Sequence, residues 1–439
     1  MKKINKSAFI FVFLGMIPMI KSQSVKKLTL EEAIALGTQN SKNLIIDEAK
    51  IQEATANYLE AKNNRLPSLK VSGSALALAN AKVDLKISQP STEGGGQTPK
   101  ANSAFYGNVS ASLPLFTGGR IKYGIQSAEY LVTAAKLSTE NDRLAIEYNI
   151  AQAYNNLFKA SQQIKVLEDN LASSQKRDLS FQKLEDNGII ARNDKLKANL
   201  QTSNVELQLL DAYNNYSIAT INMDLLLGLP ENIVLEIDDD YISDLMENQP
   251  ASYYVEKAFS LRTDLQSIDY QQKASELNIK SAKAENLPTI ALTGGYVAAE
   301  IPKILTVLNA ANIGVGIQYN IDNLWKKNSS LMRATATDKR LTATRELLTD
   351  QIKLEVNRDY QTAQFAKKKI LVYEKAANQA NENFRVTKNK YDNGLSTITE
   401  LLDADAAQMT ANVNVVNAKA DAELAYRKLL QSSGILTAK

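Results

Sequence analysis

Apolar residues recur at alternating spacings of four and three along the first half of the chain. This run consists of Ile146, Ile150, Ala153, Leu157, Ala160, Ile164, Leu167 and Leu171. Such spacing is typical of a helix that packs along one seam against a neighbouring helix. A shift of 206 residues gives a second seam, interrupted by one polar position: Ile352, Val356, Asp359, Ala363, Ala366, Ile370, Tyr373 and Ala377. The pattern therefore predicts two long helices with packed partners.

Two shorter regions alternate apolar with polar or small residues instead, as half-buried strands do. They are Phe105–Phe116 and Asn312–Ile321, and Leu69–Asn80 and Pro288–Ala299 are their predicted partner strands. Each strand is close to the length that crosses a bilayer when tilted. The same pattern also fits soluble hairpins. Four strands cannot close a barrel, and open strand edges do not occur in lipid, so a membrane role requires several chains to share one barrel.

The chain repeats one plan twice. Asp186-Asn187-Gly188 recurs as Asp392-Asn393-Gly394, and Leu66-Pro67 recurs as Leu287-Pro288. A glycine suits the left-handed turn between a helix and its antiparallel return. The predicted division is a signal peptide at 1–22, a first repeat at 23–228 (helix, β-hairpin 69–116, long helix 120–187, return helix 189–227), an irregular acidic connector at 229–249, and a second repeat at 250–439 (helix, β-hairpin 288–321, long helix 324–393, return helix 395–433).

Composition removes several classes of function. Charged residues make up 23% of the chain with a net charge of +3, so no large basic surface indicates nucleic acid. Lys2, Lys3 and Lys6 precede the apolar stretch Ala8–Ile20, which is typical of a secretory signal and short for a membrane span. The absence of cysteine and histidine excludes disulfides, Cys or His metal ligands and Ser–His catalysis. We expect no enzyme activity, no catalytic or metal site, and no cofactor.

Taken in order and twice over, these features resemble the TolC-like outer-membrane efflux proteins. The resemblance rests on Leu66-Pro67 and Leu287-Pro288 before the strands, Pro114-Leu115-Phe116-Thr117-Gly118-Gly119-Arg120 after one, and Tyr391-Asp392-Asn393-Gly394-Leu395 at the second tip. It implies a mainly α fold with a small β part. Duplicated long helical hairpins would form an α-helical tube, and four strands per chain would contribute to a shared trimeric transmembrane β-barrel. The short helices and the connector would form an equatorial belt.

The resemblance also implies a function and partners. The chain would be a homotrimer in the outer membrane of a Gram-negative bacterium, with a long periplasmic extension and contact with outer-membrane lipid. It would act as a passive duct that carries small molecules from a periplasmic adaptor (membrane fusion protein) and an inner-membrane transporter to the exterior. Two alternatives remain open: a secreted coiled-coil scaffold or stalk without a pore, and the same duct serving type I protein secretion or metal-ion efflux.

The candidate gate lies just after the second tip. Glu400 and Asp403 are spaced i,i+3 and therefore share one helix face. By themselves they fit an ordinary exposed acidic face. The resemblance implies instead that they face the tube axis at its narrowest point, where three chains would form two acidic rings that favour cations.

The resemblance further assigns tip turns and closed-state contacts, which are Asn187, Gly188, Asp194, Tyr391, Asn393 and Gly394. Asp194 and Tyr391 match places where family members tie neighbouring coils together. Some members carry a basic residue at the place of Ser396, so a salt bridge from Asp194 to that position is absent here. Arg192 and Lys195 are the candidates to replace it.

Overall fold

The computed structural model describes residues 25–82, 100–230, 234–238, 241, 249–302 and 304–436. The predicted signal peptide at 1–22 lies outside these residues, as does much of the connector at 229–249. The elements in chain order are β1 (Val25–Leu28), α1 (Leu30–Asn40), α2 (Lys42–Asn63), β2 (Ser68–Lys82), β3 (Lys100–Phe116), α3 (Arg120–Asp186), α4 (Arg192–Leu227), β4 (Val234–Ile237), α5 (Ala251–Leu261), α6 (Thr263–Ala284), β5 (Thr289–Ile301), β6 (Leu305–Gln318), α7 (Ser329–Asp392) and α8 (Ile398–Ser432).

The seams predicted from apolar spacing are buried. In α3, Ile150, Ala153 and Leu157 have almost no exposed surface, and Ile352 and Val356 are fully buried in α7. This confirms that both long helices pack along one stripe. Among the helices that the structure describes, none combines the length with the apolar character needed to cross a membrane.

The polar residue in the second seam is also buried. Asp359 accepts a hydrogen bond from Nε of Arg358 at 3.0 Å, and the Arg358 guanidinium reaches round from the exposed side of the helix. This ion pair allows a carboxylate to stay in an otherwise apolar seam, since a buried charge is costly unless it is paired.

The described residues form two compact units. One comprises the described parts of 1–40, 149–244 and 369–421, and the other the described parts of 41–148, 245–368 and 422–439. The long helices α3, α7 and α8 contribute residues to both units. In the second unit, Tyr254 and Ala258 of α5 pack with Ile352 and Val356 of α7 and with Leu429 of α8.

The second unit also contains the four predicted strands in one antiparallel sheet of order β2-β3-β5-β6. The register aligns Val71 with Val109, Val109 with Tyr296, and Tyr296 with Ala311. Since aligned residues lie on the same face of a sheet, the alternation predicted along single strands continues across all four.

Three predicted helix starts differ from the structure. The second return helix begins at Ile398 rather than 395, after the Thr397 hydroxyl that accepts the Glu400 N–H. The second long helix begins at Ser329 rather than 324, because the Asn328 Oδ1 caps it by accepting the Leu331 N–H at 2.8 Å. The residues before the cap form a short 3₁₀ helix at Ile321–Leu324. The first return helix begins at Arg192 rather than 189, since the backbone of Ala191 is still extended.

The connector is more regular than its acidic sequence suggests. Its segment β4 pairs in parallel with β1, joining Val25 to Val234 and Leu28 to Ile237. The buried Tyr154 hydroxyl donates to the Leu28 carbonyl at 2.9 Å, and burial raises the pKa of Tyr154 to about 12. The prediction of an irregular connector was therefore wrong over these four residues, because a strand this short carries no periodicity to detect.

Candidate functional site

Both helical hairpins turn at the predicted glycines. Gly188 and Gly394 have φ angles of 72° and 73°, in the left-handed region. In the first turn the Ile189 N–H donates to the Leu184 carbonyl at 2.8 Å, and the equivalent bond closes the second turn at the same length. A Cβ atom would meet nothing within 4 Å at either glycine. The backbone conformation, rather than lack of space, therefore requires glycine here.

The asparagines before these glycines complete the helix ends. The side-chain amide of Asn187 donates to the Lys183 carbonyl at 2.6 Å, and that of Asn393 donates to the Asn389 carbonyl at 2.7 Å. Each amide satisfies a carbonyl in the last turn of its long helix, where free acceptors accumulate. Both asparagines thus help to end a long helix at its tip.

Glu400 lies in the first turn of α8, where it closes a capping box with Thr397. Its carboxylate accepts the Thr397 N–H at 2.8 Å and the Ser396 hydroxyl at 2.5 Å. In return, the Thr397 hydroxyl accepts the Glu400 N–H at 3.3 Å. The Ser396 hydrogen bond, followed by those from Thr397, lowers the pKa of Glu400, so its carboxylate stays ionised into mild acid. The Thr-x-x-Glu pattern could have revealed this structural role from sequence.

Asp403 is exposed on the next turn of the same helix. Ile398 and Leu401 are buried on the opposite side, so the start of α8 is amphipathic. Glu400 and Asp403 therefore share the polar face of this helix, as their spacing predicted.

The first tip differs in charge from the second. At the offset of 206, Asp194 corresponds to Glu400 and Lys197 corresponds to Asp403. The Lys197 ammonium lies 3.4 Å from the Asp194 carboxylate and 3.5 Å from the hydroxyl of Thr399. The acid at the first tip is thus compensated, while the second tip presents two acids on one face.

The two tips pack together through an apolar cluster within the first unit. The cluster combines Phe181 and Ala198 of the first hairpin with Ile398 and Leu401 of the second. The Tyr391 ring lies against Phe181 with 5.6 Å between ring centroids. Burial, and then the nearby acids, raises the pKa of the Tyr391 hydroxyl, which therefore remains protonated at neutral pH.

Of the two basic residues predicted to compensate Asp194, Lys195 pairs with a different acid. The Lys195 ammonium lies 3.3 Å from the Glu185 carboxylate and so pairs across its own hairpin. The cation beside Asp194 is Lys197, which the sequence analysis did not select. Its i,i+3 spacing from Asp194 is the signal that could have identified it.

A further ion pair near the tips was also missed. The guanidinium of Arg177 in α3 donates two hydrogen bonds to the Asp405 carboxylate of α8, at 3.1 and 2.5 Å. Asp405 is 4% exposed and Arg177 is 18% exposed at the side chain. The pair borders a cavity of about 630 Å³ lined by α3, α7 and α8. Arg177 and Asp405 are 228 residues apart, so only the packed structure reveals the pair.

Within the described part of the chain, no group of three or more acidic, His or Cys side chains could hold a metal ion.

Comparison with known proteins gives a consistent family. Residues 34–229 and 254–435 match the model of the outer membrane efflux protein family. The outer membrane efflux protein BepC of Brucella suis biovar 1 (strain 1330) is 21% identical over 424 residues, covering 93% of this chain and 91% of BepC. The alkaline protease secretion protein AprF of Pseudomonas aeruginosa is 22% identical over 365 residues, covering 80% of this chain and 74% of AprF.

The fold is similar to that of a solved outer membrane protein. The crystal structure of the outer membrane protein VceC from Vibrio cholerae superposes with a TM-score of 0.77 at 19% identity, covering 92% of this chain and 96% of VceC. The predicted fold class, outer-membrane location and export function are confirmed. The chain belongs to the outer membrane efflux protein family.

Proposed function

We propose that three copies of this chain form one passive duct, which carries small molecules from a periplasmic adaptor and an inner-membrane transporter across the outer membrane. The observation that carries this proposal is the four-stranded sheet, which has an apolar face and two free edges.

The edges favour closure by further copies of the chain. Within the described residues, β2 and β6 each pair on one side only, and all pairings in the sheet are antiparallel. Consequently β2 and β6 run in opposite directions, and β6 of one copy can extend the antiparallel pattern onto β2 of the next. An open edge leaves N–H and C=O groups unpaired, which lipid does not tolerate. Three copies would give an even, twelve-stranded barrel.

The apolar face supplies a surface for lipid. Val71 in β2 and Ile313, Val315 and Ile317 in β6 are among the most exposed large apolar side chains of the chain. The register places Ile313 opposite Gly294, which lies opposite Ala111, so this face continues over neighbouring strands. Exposing such an apolar surface to water is unfavourable in free energy, whereas contact with lipid acyl chains stabilises it.

We assign the gate to Glu400 and Asp403. Both are ionisable groups on one exposed face just after the tip, and the lowered pKa of Glu400 keeps it charged. Three-fold repetition would place six carboxylates at the entrance and favour cations there. The tip turns would hold these helix starts in place. They are formed by Asn187, Gly188, Asn393 and Gly394.

We assign the closed-state contacts to Asp194 and Tyr391, together with Lys197. Since Ser396 supplies no positive charge, Lys197 is the cation placed to link the two tips, because it pairs with Asp194 of its own helix and reaches the Thr399 hydroxyl of the second tip. Tyr391 contributes its ring to the shared apolar cluster.

The energy for transport would come from the partner transporter, and the duct itself would catalyse no reaction.

A second cargo class is favoured by one observation, the similarity to the alkaline protease secretion protein AprF over 80% of this chain. Type I protein secretion by the same duct is therefore the alternative function.

The test is conductance in planar lipid bilayers. Protein extracted from the outer membrane should conduct ions without nucleotide or any other energy source, in steps of uniform size. The same protein, expressed in an efflux-deficient strain, should restore export only when the adaptor and the transporter are also present. A membrane-bound protein that never conducts would overturn the duct.

A further inference from the structure

The two repeats differ where their strands lead into the long helices. In the first repeat, three residues separate the end of β3 at Phe116 from the start of α3 at Arg120. In the second, the ten residues 319–328 separate the end of β6 from the start of α7. We call residues 319–328 the junction segment; it contains the 3₁₀ helix Ile321–Leu324.

The first junction is a tight and packed turn. Gly118 and Gly119 both have left-handed φ angles, of 63° and 89°. A Cβ atom on Gly118 would lie 2.9 Å from the Leu287 side chain, so this turn has no space for an added side chain. The first repeat therefore has no loop of comparable length between its last strand and its long helix.

The junction segment is exposed and carries large apolar side chains instead. Ile321 is 58% exposed and Trp325 is 70% exposed. Trp325 is the single tryptophan of the chain. Lys326 and Lys327 follow it and are exposed, and Lys326 also pairs with Asp322 at 2.6 Å. An exposed tryptophan beside two lysines is typical of a segment at a membrane–water interface.

The position of the segment agrees with its composition. It follows β6 directly at Gln318, which lies opposite Thr289, the first residue of β5. The apolar face of β6 continues to Ile317, one residue before this end. The junction segment thus lies at the helix-proximal rim of the sheet, where a bilayer that covers the apolar face would end.

We propose that the junction segment is a membrane-surface anchor specific to the second repeat. Trp325 and Ile321 enter the boundary between head groups and acyl chains, and Lys326 and Lys327 contact the phosphates of anionic phospholipids. Tryptophan favours this boundary because its ring is apolar and its N–H is polar, while lysine favours anionic head groups. The inference rests on the proposed barrel, because the strands must cross the bilayer for this rim to meet its surface.

The single tryptophan makes the test direct, since all indole fluorescence of the wild-type protein comes from Trp325. The purified protein would be reconstituted into phospholipid nanodiscs with acyl chains brominated either near the head group or near the chain end. We expect bromines near the head group to quench most of the emission and bromines near the chain end to quench little. Trp325 that is unquenched by either lipid would overturn the anchor, whether it is open to aqueous iodide or buried against a neighbouring copy.

A reference variant separates failure of the anchor from failure of the barrel. W325F combined with I313W moves the indole to the middle of β6, where the wild-type Ile313 is 81% exposed. Bromines near the chain end should quench this probe. If they do while Trp325 stays unquenched, the anchor is wrong and the barrel stands. If neither probe is quenched, the barrel itself is wrong.

The lysines are tested by the choice of head group. Brominated phosphatidylglycerol should quench Trp325 more than brominated phosphatidylcholine with the same chains, and K326Q with K327Q should abolish the difference. Equal quenching by both lipids in the wild-type protein would overturn the assignment of an anionic lipid.

Discussion

Neutralising the acidic face after the second tip should reduce the cation preference of the channel. The variant of choice is E400Q with D403N, because glutamine can keep the capping box that Glu400 forms with Thr397. It removes two charges per chain and six per proposed trimer while the start of α8 stays capped. An alanine at position 400 would remove the cap as well, and the two effects could not be separated.

The change in cation preference is measured as a shift in the reversal potential of the channel. Across a tenfold salt gradient, a channel that passes only univalent cations reverses at about 59 mV, and an unselective one near zero. We expect the wild-type channel to lie on the cation side and the variant to move most of the way to zero. The shift should be largest in dilute salt, because the Debye length is about 30 Å at 0.01 M and about 3 Å at 1 M.

The matched control removes the cap and keeps the charge. T397A loses the side-chain cap, which costs about 1 kcal/mol of stability, and should leave the reversal potential unchanged. An E400Q/D403N channel with the wild-type reversal potential in dilute salt would refute the gate assignment. A T397A channel that loses selectivity would show that helix geometry, and not charge, sets it.

Two further predictions concern stability. D405A should destabilise the first unit by about 3 kcal/mol, because it leaves Arg177 largely buried without its carboxylate partner. R177M combined with D405L should be nearly neutral, because it removes both charges. Denaturant unfolding measures the free energy of unfolding of both variants. Acid should weaken the second unit through Glu355: burial works to raise its pKa, but Arg262 and Lys428 outweigh burial and lower it. The stability that ionised Glu355 contributes is complete above the unfolded pKa of 4.5 and is lost as the pH falls through the lower folded pKa. E355Q should therefore flatten this part of the pH–stability curve. An unchanged curve would contradict the role of the ion pair.

The long helices and strands could be predicted from sequence because their signals are local and repeated. Residues such as Ile150 and Ile352 occupy regular seams, and both are fully buried. The tip glycines were equally readable, since a left-handed turn between helices favours glycine strongly. The division into two sequence repeats stays a prediction, because the compact units of the structure combine segments from both.

The errors fall where a feature is short or depends on distant packing. The pairing of Val25 with Val234 and the ion pair of Arg177 with Asp405 join residues far apart in sequence, and neither partner has a local signal. The capping box at Thr397 and the cap at Asn328 both have a local signal, because a threonine or an asparagine stands directly before the first residue of the helix. The second of these would have placed the start of α7 correctly and left the junction segment outside the helix.

The shared barrel is the central claim, and the mass of the protein extracted from the outer membrane tests it most directly. Native mass spectrometry of the detergent-solubilised species should give three chains per particle, with no single chain stable in the absence of detergent. A single chain that is water-soluble without detergent would contradict the account, because the free edges of β2 and β6 and the exposed apolar face would then need no neighbouring copy and no lipid.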